Sequence, residues 1–232
     1  MAQEVNRFFG TPMEKIVIIP NGVSLSEIAK ATPEQQQAVR HEFAVNGERL
    51  LFFVGRMVYE KGLQVLLEAL PLILEEHPDT RLLVAGKNSH TMREVAARFG
   101  VEEQVRFLGY VSDERRDQIY QAVDAAVFPS IYEPFGIVAL EAMANNCNVI
   151  ASDVSGLGEV VHHEINGLTA LPNNPQSLAW AVDRLFSDMT GAERRKARAL
   201  REVETLYNWE RVAEKTIELY ERIASARKLV QW

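Results

Sequence analysis

The sequence predicts an α/β fold, a parallel sheet covered by helices on both faces and followed by C-terminal helices. Three observations predict it. Short apolar runs alternate with helical patterns, and strands without regular polar alternation are those buried on both faces. Strand and helix in alternation imply right-handed crossovers, and so parallel pairing. After about residue 175 the strands cease and three helical patterns follow.

Taken in order, residues 16–19, 50–54, 81–85, 105–108, 125–128 and 148–151 read as buried strands. The clearest helix lies between the second and third runs. Leu63, Leu66, Leu67, Leu70, Ile73 and Leu74 form one helical face, and Pro78 and Asp79 stop it. Residues 91–99, 112–122 and 136–145 read as further helices. Residues 176–188, 192–205 and 208–226 read as the terminal three, the last with Val212, Thr216, Leu219, Tyr220 and Ile223 on one side. Residues 1–15 are too short for a domain, and the terminal helices carry apolar faces with no later strand to cover. Both ends read as elements that pack on something else.

The chain has 232 residues, 47% hydrophobic and 25% charged, enough for one large or two small globular domains. Its net charge of −7 argues against general nucleic-acid or anionic-membrane binding. The single cysteine, Cys147, cannot form an internal disulfide and reads as a small buried hydrophobe, which fits a reducing compartment. No early segment resembles a signal peptide and no apolar run would span a bilayer. The expectation is a soluble, cytoplasmic protein without a transmembrane segment.

Ligands of doubly covered parallel sheets bind beyond the carboxyl ends of the strands, and two motifs fall there. The first runs from Gly55 and Arg56 to Lys61 and Gly62, between a buried strand and the leucine-faced helix. Gly55 allows a tight exit from the strand. Arg56 and Lys61 could converge on a diphosphate, a guanidinium fork beside a mobile ammonium. The bland reading is two ordinary surface cations on a solvated loop, and spacing alone does not favour the phosphate. Neither the Walker A pattern nor the dinucleotide G-x-G-x-x-G pattern is present.

The second motif is Glu133-Pro-Phe-Gly-Ile-Val-Ala-Leu-Glu141. Gly136 opens a helix whose first amides, near Phe135, Gly136 and Ile137, suit an anion. Eight residues of helix span about 12 Å, so the two carboxylates need not share one bond of a ligand and can grip two hydroxyl-bearing rings. Glu133 as a solvated loop acid and Glu141 as a helix-face acid paired with a cation is the plain alternative. The Ser155-Gly156-Leu157-Gly158 segment reads as a structural turn, with a short helix near Val160 and Val161, and Pro20-Asn21-Gly22 as another turn. The five histidines lack metal-site spacing, and no metal or other cofactor is expected.

Together these segments resemble the retaining family-four glycosyltransferases, which include glycogen and sucrose-phosphate synthases. The resemblance runs over about residues 16–224. It rests on Ile-Pro-Asn-Gly-Val (19–23), Val-Gly-Arg through Glu-Lys-Gly (54–62), Leu-Val-Ala-Gly (83–86), Val-Arg-Phe-Leu-Gly-Tyr-Val (105–111), the two-glutamate segment within 129–144, and Asn-Gly-Leu (166–168). It implies the C-terminal half of a GT-B fold, in which two Rossmann-like domains face a cleft. Residues 1–15 would be the remnant of an N-terminal domain and linker, 16–207 the nucleotide-sugar-binding domain, and 208–232 a crossover helix and tail.

The resemblance further implies a nucleotide diphosphate sugar as donor and transfer of a hexosyl group with retention. Arg56 and Lys61 would hold the diphosphate and Glu133 would face the transferred sugar, these three being the catalytic set. Glu141 would bind ribose hydroxyls. Gly55, Gly86, Tyr110, Val111, Phe135, Gly136 and Ile137 would complete the donor site. The acceptor would belong to an N-terminal domain, in cis or as a separate chain, without which activity would be weak or nil. Ser155-Gly156 stands where many relatives have Gly-Gly. A non-catalytic nucleotide-sugar-binding or partner-binding module is the alternative reading.

Overall fold

In the computed structural model, residues 2–228 are described. Residue 1 and residues 229–232 of the expected terminal segments lie outside them. Six strands form one sheet: β1 (Arg49–Val54), β2 (Thr80–Ala85), β3 (Val105–Gly109), β4 (Ala125–Phe128), β5 (Val149–Ser152) and β6 (Leu168–Ala170). All pairs are parallel and the order is β3-β2-β1-β4-β5-β6. That order is the doubly wound one, in which connections leave β1 and β4 in opposite directions along the sheet. The crevice between their carboxyl ends is the topological switch point.

Ten helices accompany the sheet among the described residues. They are α1 (Ala2–Phe9), α2 (Pro33–Phe43), α3 (Leu63–Glu76), α4 (Arg93–Arg98), α5 (Asp113–Ala122), α6 (Ile137–Ala144), α7 (Ser155–Gly158), α8 (Pro175–Ser187), α9 (Met189–Leu206) and α10 (Trp209–Lys228). Side chains alternate across the strands. Leu51, Phe53, Leu82, Val84 and Val127 join α3, α4 and α8 on one face. Phe52, Leu83, Ala85, Ala126 and Phe128 join α5, α6 and α9 on the other. Burial on both faces explains why β1, β2, β4 and β5 read as apolar runs; β3, expected to be buried, is an edge strand in which only Val105 is buried and Arg106 is exposed. No helix among the described residues is long and apolar enough to cross a membrane.

The structure corrects one predicted strand. Residues 16–19 have no regular structure and join no sheet, and Val17 and Ile18 are exposed. The segment lies instead along α10, lining a groove with Lys215, Leu219 and Arg222. A short apolar run marks surface that needs cover, and composition alone does not say whether a strand or a helix provides it. Two elements escape the sequence reading: α2 and the three-residue edge strand β6. The predicted helix at 91–99 begins as a 3₁₀ turn, Ser89–Met92, before becoming α4. The short helix near Val160 is placed earlier, as α7.

Candidate functional site

The loops after β1 and β4 meet at the switch point, and backbone contacts bind them together. The Ile131 amide donates to the Glu60 carbonyl at 2.8 Å. Gly62, which starts α3, has φ +72°, and a β-carbon there would lie 1.8 Å from the Pro129 carbonyl oxygen. Only glycine fits both the conformation and the approach. The resulting register puts the Lys61 ammonium on Glu133, Nζ to Oε2 at 2.5 Å. Both side chains are largely withdrawn from water.

A third loop supports this pair. The Gly156 amide donates to the Glu133 carbonyl at 2.8 Å, and a Gly156 β-carbon would lie 2.5 Å from the backbone of Pro134 and Phe135. The segment expected to be a turn is the short helix α7, and Gly156 within it sets how closely it approaches the glutamate loop. α9 holds the same stretch of chain further on. Arg195, 1% exposed, bonds Glu164 at 2.6 Å, and Asn166 donates to Glu202 at 2.6 Å.

Gly136, with φ +70°, turns the chain into α6. The amides of Phe135, Gly136 and Ile137 meet no acceptor among the described residues. Their dipoles and the start of α6 favour an anion beside Lys61. The Phe135 side chain is exposed and borders an apolar groove with Pro134 and Leu140.

The other expected residues divide between two neighbouring clefts. Gly55, Arg56, Gly86, Tyr110 and Val111 line one of about 680 Å³, together with Lys87 and Arg116. The Arg56 side chain is exposed and has no hydrogen-bond or ion partner among the described residues, while its carbonyl accepts from the Val58 amide at 2.9 Å. The Lys87 ammonium lies 5.9 Å from the Tyr110 ring centre. Ile137 and Glu141 line the second cleft, about 550 Å³, with Trp209 at the start of α10. Arg116 and Asp113 belong to both.

Glu133 and Glu141 thus stand apart, each with its own cation. Glu141 lies 3.5 Å from Arg116, which is the plain pairing the sequence allowed. Burial holds the Glu141 carboxyl above its usual range, Arg116 opposes that rise, and Asp117 and Asp113 add to it. Arg56 and Lys61 share no partner. Lys61 is held by Glu133, while Arg56 is free over the first cleft.

Sequence reasoning missed Arg116. It lies within a predicted helix of mixed charge, and no spacing marks a helical arginine as facing a cleft. A cavity larger than either cleft, about 820 Å³, lies at the amino ends of the strands, near Arg49, Asp79, Asp124 and Asn148. Three cations there are engaged, Arg40 with Asp124, Arg49 with Asp79 and Lys196 with Glu193, while Lys30 has no ion partner among the described residues.

A doubly wound sheet with cations, free amides and separate carboxylates at its switch point defines a domain suited to a phosphorylated, hydroxyl-rich ligand. The chain belongs to the group 1 glycosyl transferases, whose family model matches residues 35–202. It is 38% identical over 224 residues to an uncharacterised glycosyltransferase of Methanocaldococcus jannaschii, covering 95% of this chain and 57% of that one. It is 33% identical over 226 residues to the glycogen synthase of Mycobacterium tuberculosis, covering 95% and 51%. Among solved structures, HepE of Anabaena in complex with UDP has a TM-score of 0.83 at 24% identity, over 96% of this chain and 61% of that one. The chain spans about half the length of the curated relatives it matches, and its fold is that of a GT-B C-terminal domain.

Proposed function

We propose that this domain binds a nucleotide diphosphate sugar and forms the donor half of a retaining hexosyltransferase. The observation that carries the reading is the meeting of Lys61 and Glu133 across the switch point, beside the unbonded amides that open α6. A diphosphate placed there lies between Lys61, the helix start and Arg56. A sugar beyond it meets Glu133, and a ribose on the other side meets Glu141. HepE, of the same fold, was solved with UDP, which supports a nucleoside diphosphate as the group these residues accept.

In the transfer, the bond from the anomeric carbon to the diphosphate breaks and its electron pair stays on the diphosphate oxygen. Arg56, Lys61 and the start of α6 stabilise that charge, the task a metal performs elsewhere. The acceptor hydroxyl forms the new bond and its proton passes to the departing diphosphate. An N-terminal domain, in cis or as a separate chain, holds the acceptor. Without it, donor and acceptor lack the proximity that transfer requires.

Titration calorimetry with UDP, ADP, GDP and NAD tests this reading. One of the three diphosphates should bind more tightly than NAD. Arg56→Ala and Lys61→Ala should each weaken it by about tenfold or more, as expected for a charge-assisted phosphate contact. A preference for NAD, or unchanged affinity in both variants, contradicts the assignment.

A further inference from the structure

Arg116 stands in both clefts, and three carboxylates converge on it. Its Nη1 lies 2.9 Å from Asp113 and 3.5 Å from Glu141, and its Nη2 lies 3.2 Å from Asp117. Its Nε is buried without an acceptor among the described residues. Of the described residues lining the Glu141 cleft, Arg116 is the one cation. The ionisable groups facing Glu141 there are Glu27, Asp113 and Asp117, with the Tyr120 hydroxyl of α5 beneath.

A ribose offers two hydroxyl donors. An ionised carboxylate accepts both, whereas a protonated one turns an oxygen into a donor. Burial and the flanking aspartates press Glu141 towards protonation, and Arg116 opposes them. The geometry also orients the group. Oε1 faces the guanidinium, and Oε2 has no partner among the described residues.

We propose that Arg116 is a positioning residue of the nucleoside site, holding Glu141 ionised and turned so that its second oxygen is free for the ribose diol. The proposal rests on the ribose role of Glu141 given above. It makes nucleotide affinity depend on a residue that touches no reacting atom.

The test follows the Glu141 carboxyl by carbon-13 NMR in the ligand-free chain. Affinity for the tightest binder among UDP, ADP and GDP is then measured from pH 6 to pH 8. Arg116→Gln should move the Glu141 midpoint upward. Its affinity should fall further than that of wild type between pH 8 and pH 6, by less than the tenfold that one unit of midpoint shift can at most produce. Arg116→Lys should restore most of the wild-type profile. Asp113→Asn, at a side chain 87% exposed, removes a repelling charge without opening the core and should lower the midpoint.

An unmoved midpoint in Arg116→Gln and Asp113→Asn, or an affinity loss equal at every pH, overturns the proposal and leaves the donor-site reading standing. Unchanged affinity in Glu141→Gln overturns the ribose assignment, and the proposal with it.

Discussion

At the scale of the residue, the carboxyls differ in what their surroundings ask of them. Glu141 is held above its usual range chiefly by burial, so the folded chain takes up its proton more readily than the unfolded chain does. The stabilising contribution of that proton is present below the unfolded value and is lost as pH rises through the folded one. Above that window the ionised group burdens the fold. Glu141→Gln should therefore raise the melting temperature by a few degrees at neutral pH. The gap should shrink as pH falls towards the ordinary carboxylate range. Paired thermal melts across pH check this, and a constant gap contradicts it. Cys147 obeys the same physics: burial pushes its thiol up to about 12, so it should resist maleimide at pH 8 until the chain unfolds. Fast labelling of the native protein would show the thiol to be accessible. The roles of Lys61 and Glu133 were suggested by motif alone, but their contact was not legible. It depends on two loops separated by β2, β3 and the intervening helices.

At the scale of the element, the site depends on loops that approach too closely for side chains. Gly62→Ala would force a β-carbon onto the Pro129 carbonyl in a left-handed conformation. The loss should be about 2–4 kcal/mol, by overpacking together with backbone strain. Gly47 also has positive φ, but a β-carbon there meets nothing within 4 Å. Gly47→Ala should cost about 1 kcal/mol. Urea melts of the two variants separate crowding from conformational strain, and equal losses would deny the loop contact its role. Strands β1, β2, β4 and β5 were legible because burial on both faces leaves an apolar run, whereas β3, expected to be buried, lies at the sheet edge with Arg106 exposed. β6 was not, since three residues at the sheet edge leave little pattern. Residues 16–19 gave the opposite error, apolar in sequence yet lying along α10 rather than in the sheet. The N-terminal elements are marked chiefly by capping, as in the Thr32–Gln35 box that starts α2.

At the scale of the whole molecule, strand order chooses the functional edge. The sequence indicated parallel strands and the segments that follow them, but neither the order β3-β2-β1-β4-β5-β6 nor the meeting of the β1 and β4 loops. Pairing order is decided between distant segments, where one sequence carries little signal. Size alone would favour the 820 Å³ cavity at the amino ends of the strands, whereas topology and the open amides at the start of α6 favour the switch point. Amide hydrogen exchange of the full chain, with and without the tightest-binding nucleoside diphosphate, tests that choice most directly. Ligand at the switch point should slow exchange in residues 55–62, 86–88, 110–111 and 133–141, with none slowed in α9 around Lys196. Protection around Lys196 and Arg40, with the β1 and β4 loops unchanged, would contradict that choice.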